Sequence, residues 1–345
     1  MKTAKVTLAD ATYYLAFDGE AMFTLRDDFG GQEDLKNGVL RCVGDPGERF
    51  REDALRLLRA LRFAARFGLA IEDKTAAALR ENRALLCHVS PERIFSELKG
   101  ILCARGAGEM LLTFPEVFFV FLPELAPMQG FDTRRPQNHC WDVWGHTAHA
   151  VDAIAAEPVL RLAMLFHDSG KPETFRFDAQ AGFGRFPGHP AASARIADAA
   201  LRRLRCDNAA RERVLTLVEN HEMRTGHGKK DLRRLLAKIG EENMRDLLLV
   251  RRADAAAHAP EAAARLTALA GEDERLLNEI VAERGCLHVK DLAVSGNDLL
   301  SLGMKPGAAV GETLSRLLDL VLDEEIPNEK EALLAAARKE IPKHE

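Results

Sequence analysis

The sequence predicts a mainly α protein of several domains, and three observations carry that expectation. From about residue 41 to the end, apolar residues recur with a helical period, and Gly and Pro punctuate the runs. Near the N-terminus, VTLADATYYLAF alternates weakly in the manner of a strand. The length of 345 residues sets a prior of about two or three domains. Apolar residues make up 47% and charged residues 29%, an ordinary balance for a soluble globular chain. No apolar run approaches the roughly 18 residues of a membrane span, so no membrane partner is expected. The first ten residues, MKTAKVTLAD, hold no apolar signal core, and the expected compartment is the cytoplasm. None of the six cysteines forms a CxxC, and they read as idle or buried cytosolic thiols.

Taken in order, residues 1–40 are mixed, with Asp27-Asp28-Phe29-Gly30-Gly31 as a turn. Glu48 to Phe67 reads as one strong amphipathic helix. Phe50, Ala54, Leu57, Leu58, Leu61 and Ala65 fall on one face; Arg49, Arg56, Arg59, Arg62 and Arg66 fall on the other. Gly68 is the expected C-cap. Ser90 and Pro91 are the expected N-cap and first position of the next helix. A polar connector, Gln129 to His139, marks a domain boundary. Helices bearing histidines follow to about Pro260. From Gly271 on, shorter helices are separated by Ser295-Gly296-Asn297 and Lys305-Pro306-Gly307.

The net charge of −5 hides a strong local bias. Arg41 to Arg105 holds 13 basic and 9 acidic residues, Arg202 to Arg234 holds 10 and 5, and Gly271 to the end holds 9 and 16. The basic total is 34 Arg and only 14 Lys, and the Arg fork suits phosphates and base edges. Two basic stretches therefore keep nucleic acid open as a partner. Histidine is skewed too, with eight of 11 between His139 and His258, which marks that segment for metal or proton chemistry.

His167-Asp168 ends the apolar run VLRLAMLF and leads into Ser169-Gly170-Lys171-Pro172. Adjacent residues diverge in a regular helix, but at a helix end the backbone can turn both inward. His146 lies on the preceding amphipathic stretch, His189 follows a Gly-rich loop, His221 ends ARERVLTLVEN, and Asp254 follows MRDLLLVRR. Nitrogen and carboxylate donors converging from separate helices make a divalent-metal site. Singly, each histidine is more often a capped or exposed residue. His149, one turn after His146, is a rival ligand, and His139, His227 and His258 read as surface residues. The set resembles the HD phosphohydrolase superfamily, with its H…HD…D pattern and here an HDxGK extension. The resemblance implies that His146, His167, Asp168 and Asp254 hold a metal, with His189 and His221 serving a second metal or the phosphate. It also implies hydroxide attack on phosphorus, with His167, Asp168 and Lys171 as the catalytic set. Mg, Mn, Ni and Co are not distinguished, nor is one ion from two.

The second constellation is RFREDALRLLRALRFAARFG. Asp53 and Arg56 are one helical turn apart, with Glu52 beside them, so their side chains can meet. Periodicity alone favours a solvated, salt-bridged helix. The longer string from Phe29 to Gly68 resembles the neck of bacterial class II CCA-adding tRNA nucleotidyltransferases and related poly(A) polymerases. There an EDxxR motif, here Glu52, Asp53 and Arg56, reads the base of incoming CTP or ATP. SPERIFSELKG resembles the next family segment, and VSGNDLLSLGMKPGAAVGETLSRLLDLVL resembles the tail that holds the tRNA body. The implied partners are nucleotides and tRNA or other RNA 3′ ends, contacted by Arg49, Arg59, Arg62, Arg66 and Arg93.

Nucleotidyl transfer needs paired carboxylates for two metal ions and a Gly-rich turn for the triphosphate. In the family these are GGxVRD and DxD motifs, and the 26 residues before Asp27 contain neither. The expectation is a lost head or a truncated gene model, with no nucleotide addition by this chain alone. The expected organisation is a β remnant of the head over 1–40, a helical neck over 41–128, an HD-type helical bundle over 141–262 and a helical tail over 271–345. A remnant strand would leave an unpaired edge, a route to a homodimer. The expected function is an HD-type phosphohydrolase acting on phosphate monoesters or 2′,3′-cyclic phosphodiesters on a tRNA-binding scaffold. The alternative is an RNA-binding remnant without turnover.

Overall fold

The computed structural model describes residues 2–8, 11–17, 27–133, 140–222, 228–283 and 285–339, with side chains from residue 27 onward. The chain is mainly helical and divides into two compact units, Met1–Val218 and Glu219–Glu345. That division falls inside the 141–262 segment read from the sequence. The expected connector is only partly covered, and His139 and His227 lie outside the described residues.

The first unit opens on a hairpin. Lys2–Leu8 (β1) and Ala11–Phe17 (β2) pair antiparallel, Lys2 opposite Phe17 and Leu8 opposite Ala11. The alternating stretch is thus the end of one strand and the whole of a second, not a single strand. The expected turn follows: the Asp27 carboxylate accepts from the backbone N–H of Gly31 and of Gln32, both at 2.8 Å, and so caps Gly31–Lys36 (α1). Val39–Leu40 (β3) then runs beside Ala70–Ile71 (β4) in a short parallel pair that the helical pattern hid.

Between those strands the expected single helix is two. Pro46–Glu52 (α2) stops where Asp53 turns extended, at φ −147° and ψ 103°, and Leu55–Phe67 (α3) begins beyond it. The Asp53 carboxylate accepts the Leu55 N–H at 3.1 Å. A short acidic side chain offers the backbone an alternative to the helical bond, which is why the break falls there. Leu57, Leu58 and Leu61 are fully buried, and Gly68 caps the C-terminus at φ 65° as expected.

Asp73–Asn82 (α4) and a short 3-10 stretch lead to Pro91–Leu102 (α5), whose Leu98, Ile101 and Leu102 are buried where it packs on α3. Ser90 takes the N-cap position, but its hydroxyl makes no capping bond; Pro91, which lacks the N–H, supplies the start. Ala107–Thr113 (α6) and Pro115–Phe121 (α7) join this layer to Val143–Ala153 (α8). Gly108 N–H donates to Asp152 at 2.9 Å, and the Trp144 indole donates to the Leu111 carbonyl at 3.0 Å.

Pro158–Phe166 (α9) is buried from Val159 to Phe166, so it is enclosed on every side. It packs against α5, α8 and His189–Arg203 (α11). Before α11 come the short Lys171–Thr174 (α10) and a hairpin of Arg176–Asp178 (β5) and Phe183–Arg185 (β6), where the sequence suggested only a Gly-rich loop. The unit ends at Val218, inside Asn208–Asn220 (α12).

The second unit contains Lys229–Ala256 (α13), kinked where Gly240 sits at φ 80° and ψ 163°, a conformation costly for other residues. Pro260–Ala282 (α14) packs along it. Residues 263–270, between the third and fourth expected segments, run inside α14. Gly296–Ser301 (α15), Ala308–Leu322 (α16) and Lys330–Arg338 (α17) enclose a small core of Leu292, Val294, Leu299, Leu317 and Leu333. Ser295 and Asp298 form a reciprocal capping box on α15, at the first expected breakpoint of the tail.

Candidate metal centre

Two helix ends and one helix interior build a buried polar cluster in the first unit. Asp142 caps α8 by accepting the Gly145 N–H at 2.6 Å, and this places His146 in the turn that follows. His167 is the C-cap of α9, and Asp168 comes next, where the helical path ends. His189 opens α11. All four side chains are almost completely buried, at 0–2% exposure.

Gly170 makes the assembly possible. Its N–H donates to the Ser193 hydroxyl at 2.9 Å, and a Cβ there would lie 2.7 Å from each of Ala192 Cβ, His189 O and Ser193 N. The α11 backbone therefore rests directly on the glycine, which brings His189 to Asp168.

The ring orientations are fixed locally. His167 Nδ1 lies 2.7 Å from the Met164 carbonyl and His189 Nδ1 lies 3.1 Å from the Phe186 carbonyl. A carbonyl only accepts, so each Nδ1 carries the proton and donates, and in the neutral ring Nε2 presents a lone pair. His167 Nε2 is 3.2 Å from Asp168 Oδ2 and 3.4 Å from His146 Nε2. His146 Nε2 is 3.7 Å from Asp168 Oδ2, and His189 Nε2 is 3.4 Å from Asp168 Oδ1. Lone pairs and a carboxylate facing one another at these separations call for shared positive charge. Donor atoms bound at about 2.1 Å to one ion stand about 3.0–3.4 Å apart, so the donor set suits a divalent metal. Burial alone would push the Asp168 carboxyl up; the positive charge gathered around it, that of Lys171 at 2.6 Å included, outweighs it and holds the group well below the usual carboxylate range.

Lys171, expected to face the phosphate, donates to Asp168 Oδ2 at 2.6 Å and lies over the Phe186 ring. His149, the rival of His146, stacks on Trp141 with ring centres 4.4 Å apart. In the second unit, His221 follows α12 and is buried, and Asp254 lies in the last turn of α13. His258 is not the surface residue expected. It is largely buried, with Nδ1 2.7 Å from the Asp254 carbonyl and 3.9 Å from Asp254 Oδ1. The signal was its i+4 spacing from Asp254 at a helix end.

Along α2 and α3, the carboxylate that meets Arg56 is that of Glu52, at 2.6 Å, with Arg49 at 3.1 Å from the same group. These two guanidinium bonds lower the Glu52 carboxyl from its ordinary value. Asp53, beyond the helix break, instead meets Arg93 at 3.2 Å. Arg62 pairs with Glu97 at 2.7 Å, Arg59 is half-buried, and Arg66 is exposed over Phe67. All six cysteines are free.

A family model described as a putative tRNA nucleotidyltransferase domain 2 matches residues 192–337. A second, described as a probable RNA- and SrmB-binding site of polymerase A, matches residues 68–128. The CC-adding tRNA nucleotidyltransferase of Thermus thermophilus is 34% identical over 331 residues, covering 92% of this chain and 73% of that one. The chain belongs to the bacterial CCA-adding tRNA nucleotidyltransferase family. The A-adding tRNA nucleotidyltransferase of Deinococcus radiodurans is 31% identical over 328 residues, covering 89% of this chain and 73% of that one. The fold agrees: the crystal structure of the Bacillus stearothermophilus CCA-adding enzyme in complex with CTP has a TM-score of 0.67 at 23% identity, over 94% of this chain and 71% of that one. Members of this tRNA nucleotidyltransferase family process tRNA 3′ ends. Among the described residues of this member, no helix is long and apolar enough to cross a membrane.

Proposed function

We propose that this family member carries a metal-dependent phosphohydrolase site of the HD type on an RNA-binding scaffold. Its substrates are phosphate monoesters or 2′,3′-cyclic phosphodiesters at RNA 3′ ends. The observation that carries the reading is the buried convergence of His146, His167, Asp168 and His189, with acceptor atoms facing one another at 3.2–3.7 Å. In this reading His146, His167 and Asp168 hold a divalent ion, the H…HD…D pattern assigns Asp254 to it, and His189 and His221 serve a second ion or the phosphate. When bound, the ion supplies a hydroxide nucleophile near neutral pH and charge for the phosphoryl oxygens. The chain does the rest. The Met164 and Phe186 carbonyls hold two rings in the tautomer that ligates, Asp168 stays ionised, and Lys171 balances its charge or turns to the substrate phosphate.

The scaffold reading assigns base recognition to Glu52, Asp53 and Arg56, with CTP or ATP as ligand and tRNA as partner. Arg49, Arg59, Arg62, Arg66 and Arg93 make phosphate contacts, and the setting is cytoplasmic. The four segments 1–40, 41–128, 141–262 and 271–345 belong to this proposal as head remnant, neck, HD domain and tail. The 345 residues hold no GGxVR turn and no DxD pair, so nucleotide addition by these residues alone is not proposed.

The test is turnover of a 2′,3′-cyclic nucleotide after chelation and readdition of Mg, Mn, Co or Ni. Loss of activity in His167→Ala and Asp168→Ala is the expected result. Wild-type silence in every metal would sink the reading. In that event, tRNA binding with a steep salt dependence and no turnover would favour the RNA-binding alternative, which the Arg-rich neck supports.

A further inference from the structure

The β5–β6 hairpin is the feature nearest the centre that this chemistry leaves unused. It grows from the site at both ends: α10 begins at Lys171, and β6 passes through Phe186 to His189. It stands on an aromatic base, with Phe175 against Phe131 and Phe186 and with the Phe186 ring beside His189. A Cβ on Gly184 would lie 2.4 Å from the Phe175 ring and 2.7 Å from Thr133 O, so the hairpin is packed down at Gly184, while Phe177 opposite it on the same face stays half exposed.

The other face is cationic. Arg176 stands directly opposite Arg185 in the antiparallel register, and directly opposed residues share a face. Like charges so placed destabilise a two-stranded ribbon. Asp178 relieves one of them: it meets Arg185 at 2.6 Å while accepting the N–H groups of Gln180 and Ala181 in the turn. The neighbouring charges are also engaged, Lys171 with Asp168 and Arg195 with Glu173. Among the described residues from 171 to 195, Arg176 is the cation with no carboxylate partner.

We propose that Arg176, with Arg185 across from it, binds the phosphodiester that flanks the reacting phosphate, so the site prefers the end of a polynucleotide to a mononucleotide. An anion between the two guanidinium groups removes the repulsion that the bare hairpin carries. The inference rests on the phosphohydrolase reading and names the substrate class within it.

The test compares a ribodinucleotide 3′-phosphate, which has one flanking phosphodiester, with a nucleoside 3′-phosphate. Binding of fluorescently labelled forms is measured by anisotropy, and KM and kcat are measured with Mn. The expected result is tighter binding and a lower KM for the dinucleotide in the wild type. Arg176→Glu should cut that preference about tenfold, through KM rather than kcat, and Arg176→Lys should keep part of it. Each lost contact should lower the salt slope of dinucleotide binding by about 0.7. Equal binding of the two compounds, or a preference that survives Arg176→Glu, would overturn the inference. If neither compound is turned over, the phosphohydrolase reading fails, and the anisotropy comparison still decides for or against the hairpin.

Discussion

Gly170→Ala tests whether close backbone approach assembles the metal centre. The added Cβ would lie 2.7 Å from Ala192 Cβ, from His189 O and from Ser193 N. Ordinary contact for such an atom begins near 3.4 Å, and two of the three neighbours are backbone atoms that cannot swing aside. The first turn of α11 must therefore move outward by a sizeable fraction of an ångström, stretching the 3.4 Å approach of His189 Nε2 to Asp168 Oδ1. Overpacking of this kind costs about 1–3 kcal/mol. At roughly 2–4 °C per kcal/mol for a domain of this size, Tm should fall by about 2–12 °C. Calorimetric titration with Mn should show binding weakened by at least about tenfold, as in losses of partners that orient metal ligands. The assay is thermal unfolding with and without the ion, beside that titration. A variant with wild-type Tm and wild-type affinity would refute the idea that the glycine seats His189.

Three further outcomes follow from the same geometry. Asp168 has a folded-state pKa held below its unfolded value, so its ionic contribution is present above about pH 4 and is lost only as pH falls through the lower folded value. Acid unfolding of Asp168→Asn should lack that low-pH loss, and an unchanged acid limb would contradict the charge assignment. Arg251 and Asp273 form a largely buried pair between α13 and α14, at 2.5 Å. Asp273→Ala strands a buried cation and should cost about 3–5 kcal/mol in urea unfolding, whereas the Arg251→Met/Asp273→Leu double variant should recover most of it. Arg93→Ala removes the exposed partner of Asp53 and should move stability by no more than about 1 kcal/mol. If Asp53 orients the base-reading set, the same variant should weaken CTP binding severalfold by equilibrium dialysis, and unchanged binding would remove Arg93 from that set.

The residues of the buried cluster were legible because histidine and aspartate stand out by type. His167-Asp168 at the end of an apolar run, followed by a glycine, already implied a turned helix terminus, and α9 ends there. The family strings likewise led to the helical fold and to the tRNA nucleotidyltransferase family. What stayed hidden depended on bonds that periodicity does not encode. The apolar period runs unbroken through Asp53, so nothing in it showed that one carboxylate would take the Leu55 N–H and end α2. The resulting partner, Arg93, is forty residues away in the sequence. The β5–β6 hairpin has only three residues per strand, and its glycines read as loop. His258 looked like a surface residue because its partner is a carbonyl, which every residue has.

The two imidazoles anchored three residues back along their own chain have a thermodynamic consequence. His167 is held by Met164 and His189 by Phe186, so each ring is oriented by its own short segment. A free side-chain rotor costs about 0.5–1.5 kcal/mol to immobilise on binding. For these two rings that ordering is settled when the polypeptide folds, so if they hold the proposed cation its desolvation is the main entropic event of capture. Uptake should accordingly be quick, with little change in heat capacity, and the empty and loaded forms should exchange amide hydrogens in the same places, differing chiefly in rate.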